Sequence, residues 1–92
     1  MTFNGAQEYA QDLNRQKAHG HDDWRVPTKD ELNVLFNNRV AIAGFNLTGS
    51  FPAGWYWSSS QDDGWYAWDQ RFSDGYQGYS GKGLRSSVRC VR

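Results

Sequence analysis

The sequence has few of the features that would place it in a specialised class of protein. Its one cysteine, Cys90, excludes an internal disulfide framework and is compatible with a reducing compartment. Ten basic and ten acidic residues leave no net charge, so no basic stripe points to nucleic acid. No apolar run is long enough to cross a membrane, and the first residues do not resemble a signal peptide. We therefore expect no nucleic-acid partner and no membrane insertion. The sequence does not decide whether the domain is cytoplasmic or part of a larger surface protein.

Aromatic residues are the abundant component, and they are unevenly distributed. The 92 residues contain five Trp, five Tyr and five Phe, and this length predicts a single domain over residues 1–92. Four of the five tryptophans and four of the five tyrosines lie at or beyond residue 55. Tyr and Trp among Ser, Gly and Asp form the composition of a binding surface, because the rings give large contact areas at low entropic cost.

A stretch from Trp24 to Leu32 predicts a rigid corner between an extended segment and a helix. Pro27 fixes its own backbone and disfavours a helical conformation at the residue before it. Thr28 and Glu31 have the spacing of a capping box, in which each side chain accepts a hydrogen bond from the other residue's amide. We assign a structural role to six residues of this corner: Trp24, Arg25, Pro27, Thr28, Glu31 and Leu32.

The order of elements predicts an α+β fold, with two helices packed on a small antiparallel sheet with long loops. The helices are expected over residues 2–19, with Thr2 as N-cap, and over residues 28–38. Strands are expected over residues 55–60, 65–72 and 86–92, and the glycine-rich segment 76–83 is expected to be an exposed loop. Seven aromatic or apolar residues from position 45 onward are expected to be buried: Phe45, Leu47, Phe51, Trp55, Trp57, Trp65 and Phe72.

Several motifs occur in an order that resembles one known family. They are Asp23-Trp24-Arg25-Val26-Pro27-Thr28, Glu31-Leu32, Tyr56-Trp57-Ser58-Ser59-Ser60, Phe72-Ser73-Asp74-Gly75 and Val88-Arg89-Cys90-Val91-Arg92. Together they resemble the C-terminal domain family of bacterial collagen-like adhesins. The resemblance implies a C-type-lectin-like fold and a bacterial or phage ligand-binding domain, with sulfated or acidic polysaccharides as one ligand class.

The sequence also departs from that family. The family often has a second cysteine near the positions of Tyr9 and Ala10, and its N-terminal strand, which normally pairs with the C-terminal strand, is not evident here. A missing strand would leave a sheet edge open, and open edges favour strand addition or a homo-oligomer. A structural or assembly domain is therefore the alternative to a recognition module.

Eight residues of the aromatic half are our candidates for the binding surface. They are Asp62, Asp63, Tyr66, Trp68, Asp69, Asp74, Tyr76 and Tyr79. Their aromatic rings would stack on a glycan or a protein surface, while the carboxylates accept hydrogen bonds. We expect no cofactor and no metal site, although Asp62 and Asp63 leave calcium open as an alternative. No catalytic residue is assigned, because the sequence shows neither a nucleophile motif nor a cysteine pair.

The asparagines suggest a further interpretation of the same region. All six lie at or before Asn46, and the late loops hold Tyr, Ser, Gly and Asp instead. Tyr, Ser and Asp codons lie one base change from an Asn codon, and Gly codons lie two base changes away. C-type-lectin-like proteins diversified by retroelements have their variable codons in this part of the chain. The pattern is that of a variable protein, although chance composition explains it nearly as well.

Overall fold

The computed structural model describes residues 1–62 and 64–92 and confirms the α+β class. Its helices are α1 (Phe3–Arg15), a short 3-10 helix (Ala18–Gly20), α2 (Lys29–Asn37) and α3 (Arg39–Ile42). Its strands are β1 (Trp55–Gln61), β2 (Tyr66–Arg71) and β3 (Gln77–Gly81). They form one antiparallel sheet in the order β1-β2-β3.

The first helix starts as predicted but ends earlier than residue 19. Thr2 is its N-cap, and the side-chain oxygen accepts a hydrogen bond from the Gly5 amide at 3.1 Å. Three apolar residues at helical spacing, Phe3, Ala6 and Ala10, are buried. The helix stops at Arg15, and Lys17 then takes a left-handed conformation that no α-helix accommodates.

The second helix begins at the predicted corner. The Thr28 hydroxyl accepts a hydrogen bond from the Glu31 amide at 3.3 Å, and the Glu31 carboxylate accepts one from the Thr28 amide at 2.9 Å. The capping box is therefore complete. Glu31 also forms an ion pair with Arg25, while Pro27 is fully buried. These contacts fix the angle at which the chain enters α2.

The sheet has a helix on each side, and the two sides have separate apolar clusters. On the side that we call the α1 face, Trp57 and Ala67 pack with residues of α1, and the rings of Phe3 and Trp57 meet edge to face. On the opposite side, the α2 face, Tyr56 and Phe72 pack with Leu32 of α2. Successive strand residues point to opposite faces, so the two clusters show which side chains of β2 point to each face. In β1 the same alternation holds from Trp55 to Trp57, before a register shift between Trp57 and Gln61.

The structure corrects the predicted boundaries of the last elements. Residues 77–81 form β3 rather than an exposed loop, because they complete a hairpin with β2. The predicted terminal strand over residues 86–92 is wrong. Only isolated bridges occur there, from Ser87 to Tyr56 and from Val91 to Arg25.

Three of the side chains that we expected to be buried are exposed. Trp65 lies in the turn between β1 and β2 with 79 % of its surface exposed, and Leu47 and Phe51 are exposed on the long loop. The burial of Trp57 and Phe72 is confirmed. Trp65 lies in a bend just before β2, where its apolar side chain is not buried.

One edge of the sheet is covered and the other is open. The outer edge of β1 is covered by the C-terminal segment, because the Trp57 amide donates to the Ser87 carbonyl at 2.9 Å and the Ser87 amide donates to the Trp55 carbonyl at 2.8 Å. The Arg71 amide donates to the Tyr76 carbonyl, and the Lys82 amide donates to the Trp65 carbonyl. These two bonds show which residue pairs of β2 and β3 are hydrogen-bonded, since such pairs alternate with non-hydrogen-bonded ones in an antiparallel ladder. That alternation turns the amide and carbonyl groups of Gln77 and Tyr79 outward. In the described ranges no backbone hydrogen bond from another segment reaches them.

Candidate functional site: an aromatic strip and a carboxylate niche

The alternation of β2 divides the predicted binding residues between the two faces of the sheet. Tyr66 and Trp68 point to the α2 face, together with Gln70, whose side chain donates to Asn33 of α2 at 2.9 Å. Asp69 lies opposite Trp57 in the β1–β2 register and points to the α1 face. The structure therefore does not bring the eight candidates together into one site.

Three rings form a continuous strip on the α2 face. Tyr79 of β3 lies opposite Trp68 and meets it edge to face, with ring centroids 5.3 Å apart. Tyr66 meets the same Tyr79 ring at 5.9 Å. Tyr66 and Tyr79 expose 44 % and 57 % of their surfaces. We call these three residues the aromatic strip; edge-to-face contacts of this kind restrict the rings to a defined surface.

A lysine that sequence reasoning missed belongs to this strip. The Lys29 ammonium lies over the Trp68 ring, 3.8 Å from its centroid. The Lys29 amide donates to the Ser60 hydroxyl at 2.9 Å, so the first turn of α2 is attached to β1. The capping box at Thr28 therefore positions a positive charge at the border of the strip.

The remaining aromatic candidate, Tyr76, lies on the α1 face. Its ring meets Trp55 edge to face at 6.0 Å, and 58 % of its surface is exposed. Beside this pair lie the Asp69 carboxylate and the bare Cα of Gly78. We call Trp55, Asp69, Tyr76 and Gly78 the Asp69 niche. They contribute to a surface cavity of about 320 Å³ that Trp68 and Tyr79 of the aromatic strip also line.

The Asp69 carboxylate is unusual because it is buried and only half satisfied. It exposes 1 % of its surface, and burial raises its pKa above the usual value. The Ser80 hydroxyl donates to Oδ2 at 2.6 Å. The other oxygen, Oδ1, has no hydrogen-bond partner in the described part of the chain.

Two other candidate carboxylates, Asp62 and Asp74, lie outside the strands. Asp74 accepts two hydrogen bonds from the Arg71 guanidinium, at 2.9 and 2.6 Å, and this pairing is the main cause that lowers the pKa of Asp74 to about 2. Asp62 is exposed after β1, and its amide donates to the Tyr66 carbonyl at 3.1 Å. Asp63 lies outside the described residues.

Other kinds of site find little support in the described ranges. No group of three His, Cys, Asp or Glu side chains there is placed to hold a metal ion. None of the helices in those ranges has the length and apolar character needed to cross a membrane. Cys90 is half-buried, and burial raises the pKa of its thiol, which disfavours the reactive thiolate.

One signal in the sequence points to the division between the two faces. Tyr66 and Trp68 lie two positions apart in a predicted strand, and Asp69 directly follows Trp68. Because side chains alternate between the two faces of a strand, the sequence already separates Asp69 from the two rings. No comparable signal identifies Lys29 or Gly78. Lys29 approaches Trp68 only through the packing of α2 on the sheet, and Gly78 lies in a segment that the sequence assigns to a loop.

The comparisons with known proteins agree with the family that the motifs suggest. No curated protein matches the chain significantly. A family model described as the Lcl C-terminal domain matches residues 1–92. The match spans both helices, the sheet and the C-terminal segment, and therefore the aromatic strip and the Asp69 niche. The chain belongs to the Lcl C-terminal domain family.

Proposed function

We propose that this domain is a non-catalytic recognition module that binds a glycan or a protein on a cell surface through the aromatic strip. The observation that carries the proposal is the row of contacting rings formed by Tyr66, Tyr79 and Trp68 on a part of the α2 face where both tyrosines are exposed. Exposed, mutually supported aromatic side chains are characteristic of binding surfaces.

The chemistry of the strip favours a glycan as the leading ligand. Tyrosine rings offer apolar faces to the C–H groups of a sugar, and their hydroxyls accept and donate hydrogen bonds. The Lys29 ammonium occupies one side of the Trp68 ring, so a positive charge lies next to the two exposed tyrosines. A sulfated or acidic polysaccharide, the ligand class implied by the family resemblance, supplies the matching negative charge.

Absence of catalysis is part of the same proposal. The half-buried Cys90 thiol, with its raised pKa, is poorly suited to act as a nucleophile. The aromatic strip and the neighbouring Lys29 offer rings and an ammonium group but no acid–base pair, which suits binding rather than bond breaking.

Diversification of the late segments by a retroelement is a finer part of the proposal. The distribution of asparagine supports it, since none of the six follows Asn46. The exposed Tyr66, Tyr76 and Tyr79 lie where variation would alter the surface without disturbing either apolar cluster. Sequences of close relatives test it. We expect amino-acid variation among relatives to be confined to residues 61–84, with residues 24–32 constant. Variation spread evenly along the chain would contradict this part of the proposal.

Alanine variants of the strip test the recognition proposal directly. We expect Tyr66→Ala and Tyr79→Ala each to weaken binding of a sulfated polysaccharide by about tenfold, equivalent to about 1.4 kcal/mol. The measurement is isothermal titration of each folded variant with heparin and with its desulfated form. Tyr9→Ala is the matched control, because Tyr9 is an exposed tyrosine on α1. Parental affinity in both strip variants would overturn the proposal.

The open edge of β3 supports assembly as a second candidate function. The outward amide and carbonyl groups of Gln77 and Tyr79 are ready to pair with a strand of a second copy. Gln77→Pro removes one outward donor without removing a bond of the β2–β3 ladder. If assembly uses this edge, light scattering should show an oligomer that becomes monomeric in Gln77→Pro. A monomer at all concentrations in the parent protein would exclude this function.

A further inference from the structure

The Asp69 niche contains an unexplained acceptor. Nearly all buried polar groups in folded proteins have a hydrogen-bond partner, because an unpaired one costs free energy. Oδ1 of Asp69 has none in the described ranges, although Oδ2 is bonded to Ser80. Asp69 exposes only 1 % of its surface, so this oxygen is a buried acceptor whose hydrogen-bonding capacity is unused.

Gly78 is the reason that space remains beside this oxygen. A Cβ at Gly78 would lie 3.6 Å from Oδ1 of Asp69, 3.6 Å from Cζ3 of Trp55 and 3.1 Å from Cε1 of Tyr76. Any side chain there would fill the gap between the carboxylate and the two rings. The glycine therefore leaves a niche with one charged wall and two aromatic walls.

The charges around the niche leave it negative. The Arg71 guanidinium is the nearest cation to its rings, 5.4 Å from the Trp55 centroid and 5.5 Å from the Tyr76 centroid. Arg71 is already paired with Asp74 through two hydrogen bonds. The pair is neutral overall, so the Asp69 carboxylate has no countercharge of its own among these residues.

We propose that the Asp69 niche binds a primary ammonium group, with an N–H donated to Oδ1 of Asp69 and the attached carbon chain lying against the rings of Trp55 and Tyr76. A cation is favoured because aromatic ring faces and a buried carboxylate both attract positive charge. A primary amine is favoured over a quaternary one because the unpaired oxygen needs an N–H donor. A lysine side chain and an amino sugar share this chemistry. The exposed Tyr76 ring lies at the mouth of the niche and shifts to admit the group.

This binding site goes beyond the function proposed above, because it lies on the opposite face of the sheet. The aromatic strip uses Tyr66, Trp68 and Tyr79, whereas the niche uses Trp55, Asp69, Tyr76 and Gly78. Trp68 and Tyr79 also line the cavity of the niche, but Tyr66 does not. The two proposals are therefore separated by a variant of Tyr66 on one side and by variants of Asp69 and Gly78 on the other.

Titration of the whole chain with n-butylammonium chloride tests the niche. Backbone amide shifts of Gly78 and the indole N–H shift of Trp55 in NMR spectra report occupancy. We expect saturable shifts at these two residues, and at least tenfold weaker binding of tetramethylammonium and of n-butanol. Lysine methyl ester acetylated at its α-amine and glucosamine then distinguish a peptide source from a sugar source, since each carries one free amine.

Two variants decide the outcome. Asp69→Asn removes the charge, and Gly78→Ala fills the gap; each should weaken n-butylammonium binding at least tenfold. Gly83→Ala is the matched control, because a Cβ there would meet nothing within 4 Å, and it should bind as the parent does. Non-saturable shifts in the parent, or parental affinity in a folded Asp69→Asn variant, would overturn the proposal. Tyr66→Ala should leave amine binding unchanged.

Discussion

At the scale of single residues, Gly75 shows how closely the turn after β2 fits against α2. Its φ of +84° lies in the region that favours glycine. A Cβ added at Gly75 would lie 2.4 Å from Cε2 of Phe36, a ring that packs against the Phe72 cluster. The glycine is therefore required both by its backbone conformation and by the space that Phe36 occupies.

We predict that Gly75→Ala destabilises the domain more than Gly20→Ala does. Gly20 has a similar φ of +82°, but a Cβ there would meet nothing within 4 Å. Gly20→Ala should cost about 1 kcal/mol for the backbone alone, and Gly75→Ala should cost a further 1–3 kcal/mol, roughly, for the overlap with Phe36. Urea denaturation of both variants measures the difference. Equal losses would mean that Phe36 does not lie where the structure places it.

At the scale of elements, the start of α2 joins the structural corner to the aromatic strip. The Arg25 guanidinium is the main cause that lowers the pKa of Glu31 from 4.5 to about 2, and the Thr28 amide adds to it. The folded protein thus favours the charged carboxylate more than the unfolded chain does. Glu31 therefore stabilises the fold above about pH 4.5, and this contribution is lost as the pH falls through about 2.

We predict that Glu31→Gln flattens the acid limb of the stability curve. Gln keeps the capping hydrogen bond within reach but has no charge to lose. The free energy of unfolding, measured by urea denaturation between pH 6 and pH 2, should fall less steeply in the variant than in the parent. Arg25→Gln should act in the same direction. Because the Arg25 and Glu31 side chains are 46 % and 39 % exposed, added salt should reduce the effect. A variant with the parental slope would contradict the assignment.

The elements also show where sequence reasoning succeeds and where it stops. The capping box was predictable because its two residues lie three positions apart and act locally. β3 was not predictable, since Gly78 and Gly81 weaken any strand pattern and the segment is ordered by pairing with β2. The C-terminal segment was expected to be a strand because of its valines, but its β-pairing consists of isolated bridges to Tyr56 and Arg25. Non-local pairing decided both cases.

At the scale of the whole molecule, the sheet separates two surfaces with different chemistry. The α2 face presents the aromatic strip with a lysine at its border, and the α1 face presents a buried carboxylate beneath two rings. The composition indicated an aromatic binding surface but not its division, because composition contains no information about faces. None of the exposed tyrosines of these surfaces belongs to either apolar cluster, so we expect these rings to contribute little to the folding of the core.

The most direct test of the central claim is an amide NMR map of the domain titrated with a sulfated polysaccharide such as heparin. The account predicts saturable shifts centred on Tyr66, Trp68 and Tyr79, together with Lys29 beside Trp68, and small shifts on the α1 face. Saturable shifts confined to α1 and the α1 face, or shifts at the strip that persist unchanged in the Tyr66→Ala/Tyr79→Ala double variant, would contradict it.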